Sequence, residues 1–141
     1  MNFKRYAVFA ALSAFALAGL APAAVAQNYR GTFTLPFEAQ WGNAHLQPGE
    51  YTVRTDTIVA TPVMYLTGNG VAQSILSGPV RTGEISDKGS HLELTEINGT
   101  YVVSKLVAGG VGKEFSFATP RSLSREQGMG IALKKATLPV K

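Results

Sequence analysis

The chain of 141 residues contains no cysteine, two histidines and one tryptophan. Without cysteine there is no disulfide framework and no thiol to carry a lipid anchor behind a leader segment. With only His45 and His91, histidine-based metal or nucleophile chemistry has few starting points. No internal repeat, low-complexity tract or convincing amphipathic helix is present. Charged residues make up 16% of the chain. The fold must therefore rest on its apolar core.

The most apolar stretch lies at the start. Lys4 and Arg5 precede an apolar run from Ala7 to Leu20, and Ala24-Val25-Ala26 follows. A positive region, an apolar region and small residues before a cleavage point define a secretory signal, with cleavage expected between Ala26 and Gln27. The run is shorter than the roughly 20 residues needed to span a bilayer, and Pro22 ends it. Cleavage leaves 115 residues of the 141, one domain's worth and enough to bury a core without staples. The expected organisation is a signal at 1–26, a β domain at 27–120, and a basic segment at 121–141. That last segment reads as a strand or short helix with a frayed end, Leu138 to Lys141. The expected location is secreted or periplasmic, with no membrane span after cleavage.

Thirteen basic and nine acidic residues give a formal charge of +4, and the loss of Lys4 and Arg5 leaves eleven against nine. The distribution is uneven. Residues 27–118 carry six basic and eight acidic side chains, whereas 119–141 carry five basic ones against Glu126. A mildly acidic body is a poor fit to nucleic acid. Arg121, Arg125, Lys134 and Lys135 are the candidate contacts to an envelope protein or anionic surface. Their plainer reading is a solvated strand that keeps the domain soluble.

Strand patterning dominates the remainder. Phe33, Leu35, Phe37, Ala39 and Trp41 occupy alternate positions, the period of a strand with one buried face. Pro36 lacks a ladder donor, so it marks an edge, a bend or a change of partner sheet. Gly42-Asn43 and Pro48-Gly49 are turn signals, after which Tyr51 and Val53 face inward. Val63 to Leu66 is continuously apolar and predicts a strand covered on both faces. Gly68-Asn69-Gly70 predicts a hairpin leading to Val71–Leu76, with Ile75 in the core. Asn98-Gly99 predicts a second hairpin in which Ile97 opposes Thr100 and Leu94 opposes Val103. Val80 to Ile85 is a weak edge candidate, and Phe115 and Phe117 point inward on a later strand. Ser124 with Gln127 resembles a capping box, while Met129, Ile131 and Leu133 alternate as a strand would. The expectation is an all-β, single antiparallel sandwich of seven or eight strands, with a small barrel as the alternative.

Chemical constellations are sparse. His91 and Glu93 share a strand face and form half a metal site, with His45 as a distant third ligand; at least three ligands are normally needed. No nucleophile-elbow sequence accompanies the serines, and Asp56 and Asp87 occur in turn-like contexts. Gly109-Gly110-Val111-Gly112-Lys113 lacks the first glycine and the hydroxyl of a phosphate loop. No cofactor is indicated. Tyr65, Phe115 and Phe117 are candidates to line an apolar pocket between sheets.

The segments Phe33-Thr34-Leu35-Pro36-Phe37-Glu38-Ala39-Gln40-Trp41-Gly42 and Leu46-Gln47-Pro48-Gly49-Glu50-Tyr51-Thr52-Val53 resemble a family of small, uncharacterised bacterial secreted β-rich proteins. Its members carry a Trp-Gly strand end and a Leu-Pro-x-Gly-x-Tyr-type turn and strand. The stretches from Tyr101 to Leu106 and from Gly112 to Pro120 are similar too. Here Gln47-Pro48 stands where Pro-Ala is commoner. The resemblance implies secretion and a structural role for these residues, and brings no catalytic residue with it. The functional expectation is an exported, non-enzymatic binding module. A small apolar-ligand carrier is the alternative, and a hydrolase stands further off.

Overall fold

Pro36 divides the long alternating run into two strands that join different sheets. The structure is a computed structural model that describes residues 28–56, 58, 60–85, 87–127 and 134–141. The expected signal at 1–26 and the alternation of Met129, Ile131 and Leu133 lie outside the described residues. Strand β1 (Tyr29–Leu35) pairs antiparallel with β4 (Gly49–Thr55) along its whole length, Phe33 opposite Tyr51. Strands β2 (Ala39–Trp41) and β3 (Ala44–Leu46) form a short hairpin in the other sheet. Proline cannot donate to a ladder and is confined to edges and strand ends, and the chain crosses between layers at Pro36. The single strand expected through Phe37 is thereby corrected. Phe37 lies in the crossing, half-buried, stacked on Tyr101 with ring centroids 4.0 Å apart.

The first sheet is completed by β5 (Val63–Gly68) and β6 (Val71–Leu76), in the order β1-β4-β5-β6. Asn69 and Gly70 turn the β5–β6 hairpin with φ of 47° and 76°, the positive pair that a primed two-residue turn requires. Strand β5 is buried on one face only. Met64 and Leu66 point into the core while Val63 and Tyr65 face solvent, because one layer alone covers this sheet. The double covering expected for Val63–Leu66 is therefore wrong.

The second sheet contains β7 (Arg81–Thr82), β8 (Ser90–Ile97), β9 (Thr100–Ala108), β10 (Lys113–Ser116) and β11 (Lys134–Val140) in the order β11-β8-β9-β10-β7. Strands β2 and β3 attach through β9, alongside which β2 runs parallel. Ile97 opposes Thr100 and Leu94 opposes Val103, the register read from Asn98-Gly99. Between the Leu94–Val103 and Glu93–Lys105 pairs, Ser104 is an extra residue. That bulge keeps Val103 and Leu106 on the face of Leu94 and Leu92 despite their odd spacing. A short helix, α1 (Arg121–Gln127), begins directly after Pro120, so Ser124 lies inside it instead of capping it.

The two sheets face each other without closing into a barrel. Trp41, Tyr51, Leu66, Leu92, Leu94 and Phe115 lie between them, each no more than 1% exposed. Among the described residues there are eleven strand segments, against the expected seven or eight. The increase comes from the division at Pro36, the separate β3, the two-residue β7, and an ordered C-terminus. Leu138–Lys141 does not fray. It continues β11 against β8, and Lys141 exchanges both backbone hydrogen bonds with Thr32 at 2.7 and 2.8 Å. The seam is tight, since a Cβ on Gly31 would lie 2.4 Å from Val140 Cγ1.

Candidate functional site

The polar residues singled out in the sequence do not converge. His91 Nε2 lies 3.7 Å from Glu93 Oε1, and Lys105 Nζ lies 3.6 Å from Glu93 Oε2 on the neighbouring strand. The Glu93 carboxylate thus sits between two nitrogen bases, and lysine takes the place a metal cation would have. His45 is exposed on β3, and its imidazole makes no hydrogen bond or ion pair among the described residues. It shares a recess of about 230 Å³ with Glu38 and Ser122. The Glu38 carboxylate is already engaged by the Gln47 amide. No group of three or more potential metal ligands occurs among the described residues.

The basic residues separate as well. Lys134 and Lys135 begin the edge strand β11, while Arg121 and Arg125 lie exposed on α1. The residues suggested for an intersheet pocket do not assemble either. Phe115 and Phe117 are in the core, whereas Tyr65 lies on the outer face beneath the Arg54 guanidinium, 4.9 Å from its ring centroid.

What the structure brings together is a sheet edge. Unpaired strand edges invite further pairing, and proteins blunt them with charge, proline, short length or cover. Among the described residues there are five such edges, and four of them are treated in this way. Strand β11 carries Lys134, Lys135 and Pro139; β7 is two residues long and β3 three; and β1 is covered at Thr32 by the backbone of Lys141. Strand β6, Val-Ala-Gln-Ser-Ile-Leu, has no charge, proline or bulge. Its two-residue hairpin places Val71 opposite Gly68 in a hydrogen-bonded pair, so Val71, Gln73 and Ile75 bond to β5. The N–H and C=O groups of Ala72, Ser74 and Leu76 point the other way. They have no partner among the described residues. Leu76 is 68% exposed beside them.

Along this edge runs an open groove of about 570 Å³. Gln73–Leu76 form one wall, residues 117–122 the other, and Gly42, Asn43 and Ala44 the end where the β2–β3 turn reaches β6. The distinctive sequence motif builds this arrangement. Tyr51 donates its hydroxyl to Gln47 O at 2.7 Å, tying strand to turn across Pro48-Gly49. Asn69 Nδ2, in the β5–β6 turn, donates to Pro48 O at 3.2 Å and so anchors the hairpin that presents β6. Trp41 packs edge-on to Phe117 at 4.9 Å, and Gly42 lies where a Cβ would come 3.3 Å from Ile75 Cγ2. Trp41 thus backs the groove through Phe117, and Phe33 and Tyr51 stand behind Trp41 in a chain of ring contacts. Sequence reading found this support but missed the edge. An unprotected strand edge is visible only once the strand order is known, although the lack of charge in Val71–Leu76 was a signal.

Burial pushes the Tyr29 phenol above its ordinary range, opposed in part by the Ser90 side chain. Tyr29 belongs to the core and is remote in role from the groove. Comparisons with protein-family models, with curated proteins and with solved structures find no match to this chain.

Proposed function

We propose that this chain is an exported, non-enzymatic β-sandwich protein that binds a partner at the cell envelope through the β6 edge and its groove. The observation that carries this reading is the contrast between β6 and the other four sheet edges among the described residues. Evolution tolerates an unprotected edge where pairing is useful, because elsewhere it invites aggregation. The signal-like segment with Lys4, Arg5 and Ala24-Val25-Ala26 supports export, as does the resemblance to secreted proteins at Phe33–Gly42. Tyr65 stands apart from Phe115 and Phe117, which favours this reading over an intersheet carrier. The His45 imidazole has no hydrogen-bond partner among the described residues, and His91 faces Glu93 at 3.7 Å with no serine bonded to it, which favours binding over a hydrolase.

The test uses a substitution that the fold tolerates and the edge does not. Ser74 is exposed and its N–H faces outward, so Ser74→Pro removes a donor that bonds nothing in the sheet. Photo-crosslinking from Thr119 in cells of the source would give a discrete adduct with the wild type and none with Ser74→Pro. Far-ultraviolet circular dichroism would confirm that both are folded. Equal adducts from the two proteins would place the partner elsewhere.

A further inference from the structure

We infer that the occupant of the groove is an extended, acidic peptide segment of the partner, taken up as a fifth strand beside β6. The inference rests on the partner-binding reading above and names its ligand class. Ser74 offers both backbone groups into the groove, and Ala72 and Leu76 offer theirs on either side, which is the spacing a neighbouring strand uses. Gln73 to Leu76 spans about 10 Å at the usual rise per residue, room for some four residues of an added strand. The side-chain lining suits an added strand with alternating contacts. Ile75 and Phe117 supply an apolar floor, while Gln40, Gln73 and Thr119 supply amides and a hydroxyl.

Charge decides the chemistry of the segment. Arg121 is the one charged residue among those that line the groove, and no carboxylate accompanies it. It is exposed and forms no ion pair among the described residues. A peptide carrying Asp or Glu at the position facing the 117–122 wall meets an unopposed guanidinium, and a basic peptide meets repulsion. A second copy of the chain is a poorer occupant. The part of β6 that lines the groove is flanked by residues 118–122, and an identical wall stands beside the same edge of any other copy. A second copy must bring its own flanking wall to the strand spacing of about 4.8 Å, whereas a single extended segment enters without one.

The experiment selects linear eight-residue peptides from a display library against protein purified from cells expressing the full chain. Expected winners alternate apolar and polar residues and include Asp or Glu. Their binding shifts the amide resonances of Ala72, Ser74 and Leu76. N-methylation of alternate peptide residues separates strand addition from other modes, because only one phase of the peptide faces β6. That phase loses about tenfold in affinity, the worth of one hydrogen bond of roughly 1.4 kcal/mol, and the other phase loses little. Arg121→Glu weakens the acidic peptides about tenfold, and replacement of their acid by lysine restores binding to that variant. The inference is overturned if no peptide is selected, if winners perturb residues away from β6, or if both N-methylated phases bind alike. It is also overturned if Arg121→Glu is without effect, or if the β6 amides shift with protein concentration alone, the mark of a second copy. A crosslinked partner lost in Ser74→Pro, together with failure to select any peptide, defeats this inference and leaves the partner-binding reading standing.

Discussion

Replacing Gly31 by alanine tests the seam where β1 meets the C-terminal strand. A Cβ there would lie 2.4 Å from Val140 Cγ1 and 2.7 Å from the Tyr29 hydroxyl, against an ordinary carbon contact of about 3.5 to 4.0 Å. Val140 is buried and its strand is held to Thr32 through Lys141, so neither side chain nor backbone can withdraw freely. Overpacking of this kind costs about 1 to 3 kcal/mol, and overlap with two groups places Gly31→Ala near the top of that range. Two opposing effects must be weighed. Gly31 is absent from the residues with positive φ, so alanine meets no backbone penalty, and the loss of glycine freedom in the unfolded chain returns about 0.4 to 1 kcal/mol. The net destabilisation is about 2 kcal/mol, which for a domain of this size lowers the melting temperature by about 8 °C. Val140→Ala alone removes two buried methyl groups and costs about 1.6 kcal/mol. In the double variant the clashing methyl is gone, so the two costs combine to less than their sum by about 1 to 2 kcal/mol. Equilibrium urea unfolding of the four proteins measures this directly. Strict additivity, or a Gly31→Ala protein more stable than wild type, would refute the seam.

Three other outcomes follow from the core and its turns. Phe115→Ala, at a fully buried site, loses about 3 to 5 kcal/mol, whereas Phe37→Ala, half-exposed and stacked on Tyr101, loses about 2; thermal unfolding that ranks them the other way would show the crossing at Pro36 to be misplaced. Asn69→Ala removes the donor to Pro48 O and puts alanine at φ 47°, so it costs about 1 to 2 kcal/mol in urea unfolding, and Asn69→Gly, which restores the conformation alone, recovers part of that. Because burial raises the Tyr29 phenol, the unfolded chain releases its proton at lower pH than the folded one. The associated stability is fully present below the ordinary phenol value near 10 and is lost as pH rises above it. Tyr29→Phe flattens that alkaline decline in unfolding midpoints measured from pH 8 to 11, and an unchanged slope would assign the decline to other groups.

The parts of the fold legible in sequence are those set by local chemistry. Asn98-Gly99 and Asn69-Gly70 specify their hairpins because positive φ at both positions is an unusual demand, and register follows from a two-residue loop. Tyr51 and Trp41 are buried as their parity requires. Alternation misleads at Phe37, because period two continues across Pro36 while the backbone changes sheets. The Val63–Leu66 run looked doubly covered because apolar residues alone do not reveal whether a layer lies outside; Tyr65 is stabilised there by Arg54. The fate of Leu138–Lys141 depended on Gly31, more than a hundred positions away, making room for Val140. The groove belongs to the same category. Its walls come from β6, the β2–β3 turn and residues 117–122, which only the tertiary fold brings side by side.

Amide hydrogen exchange on β6 tests the partner-binding edge most directly. The protein isolated in complex with the proposed partner would be compared with the same protein after dissociation. In the free protein, Ala72, Ser74 and Leu76 exchange rapidly because their N–H groups face the open edge, while Gln73 and Ile75 are protected by β5. Binding at the edge slows Ala72, Ser74 and Leu76 together and returns them to fast exchange on release. Fast exchange at all three in the intact complex would contradict the account.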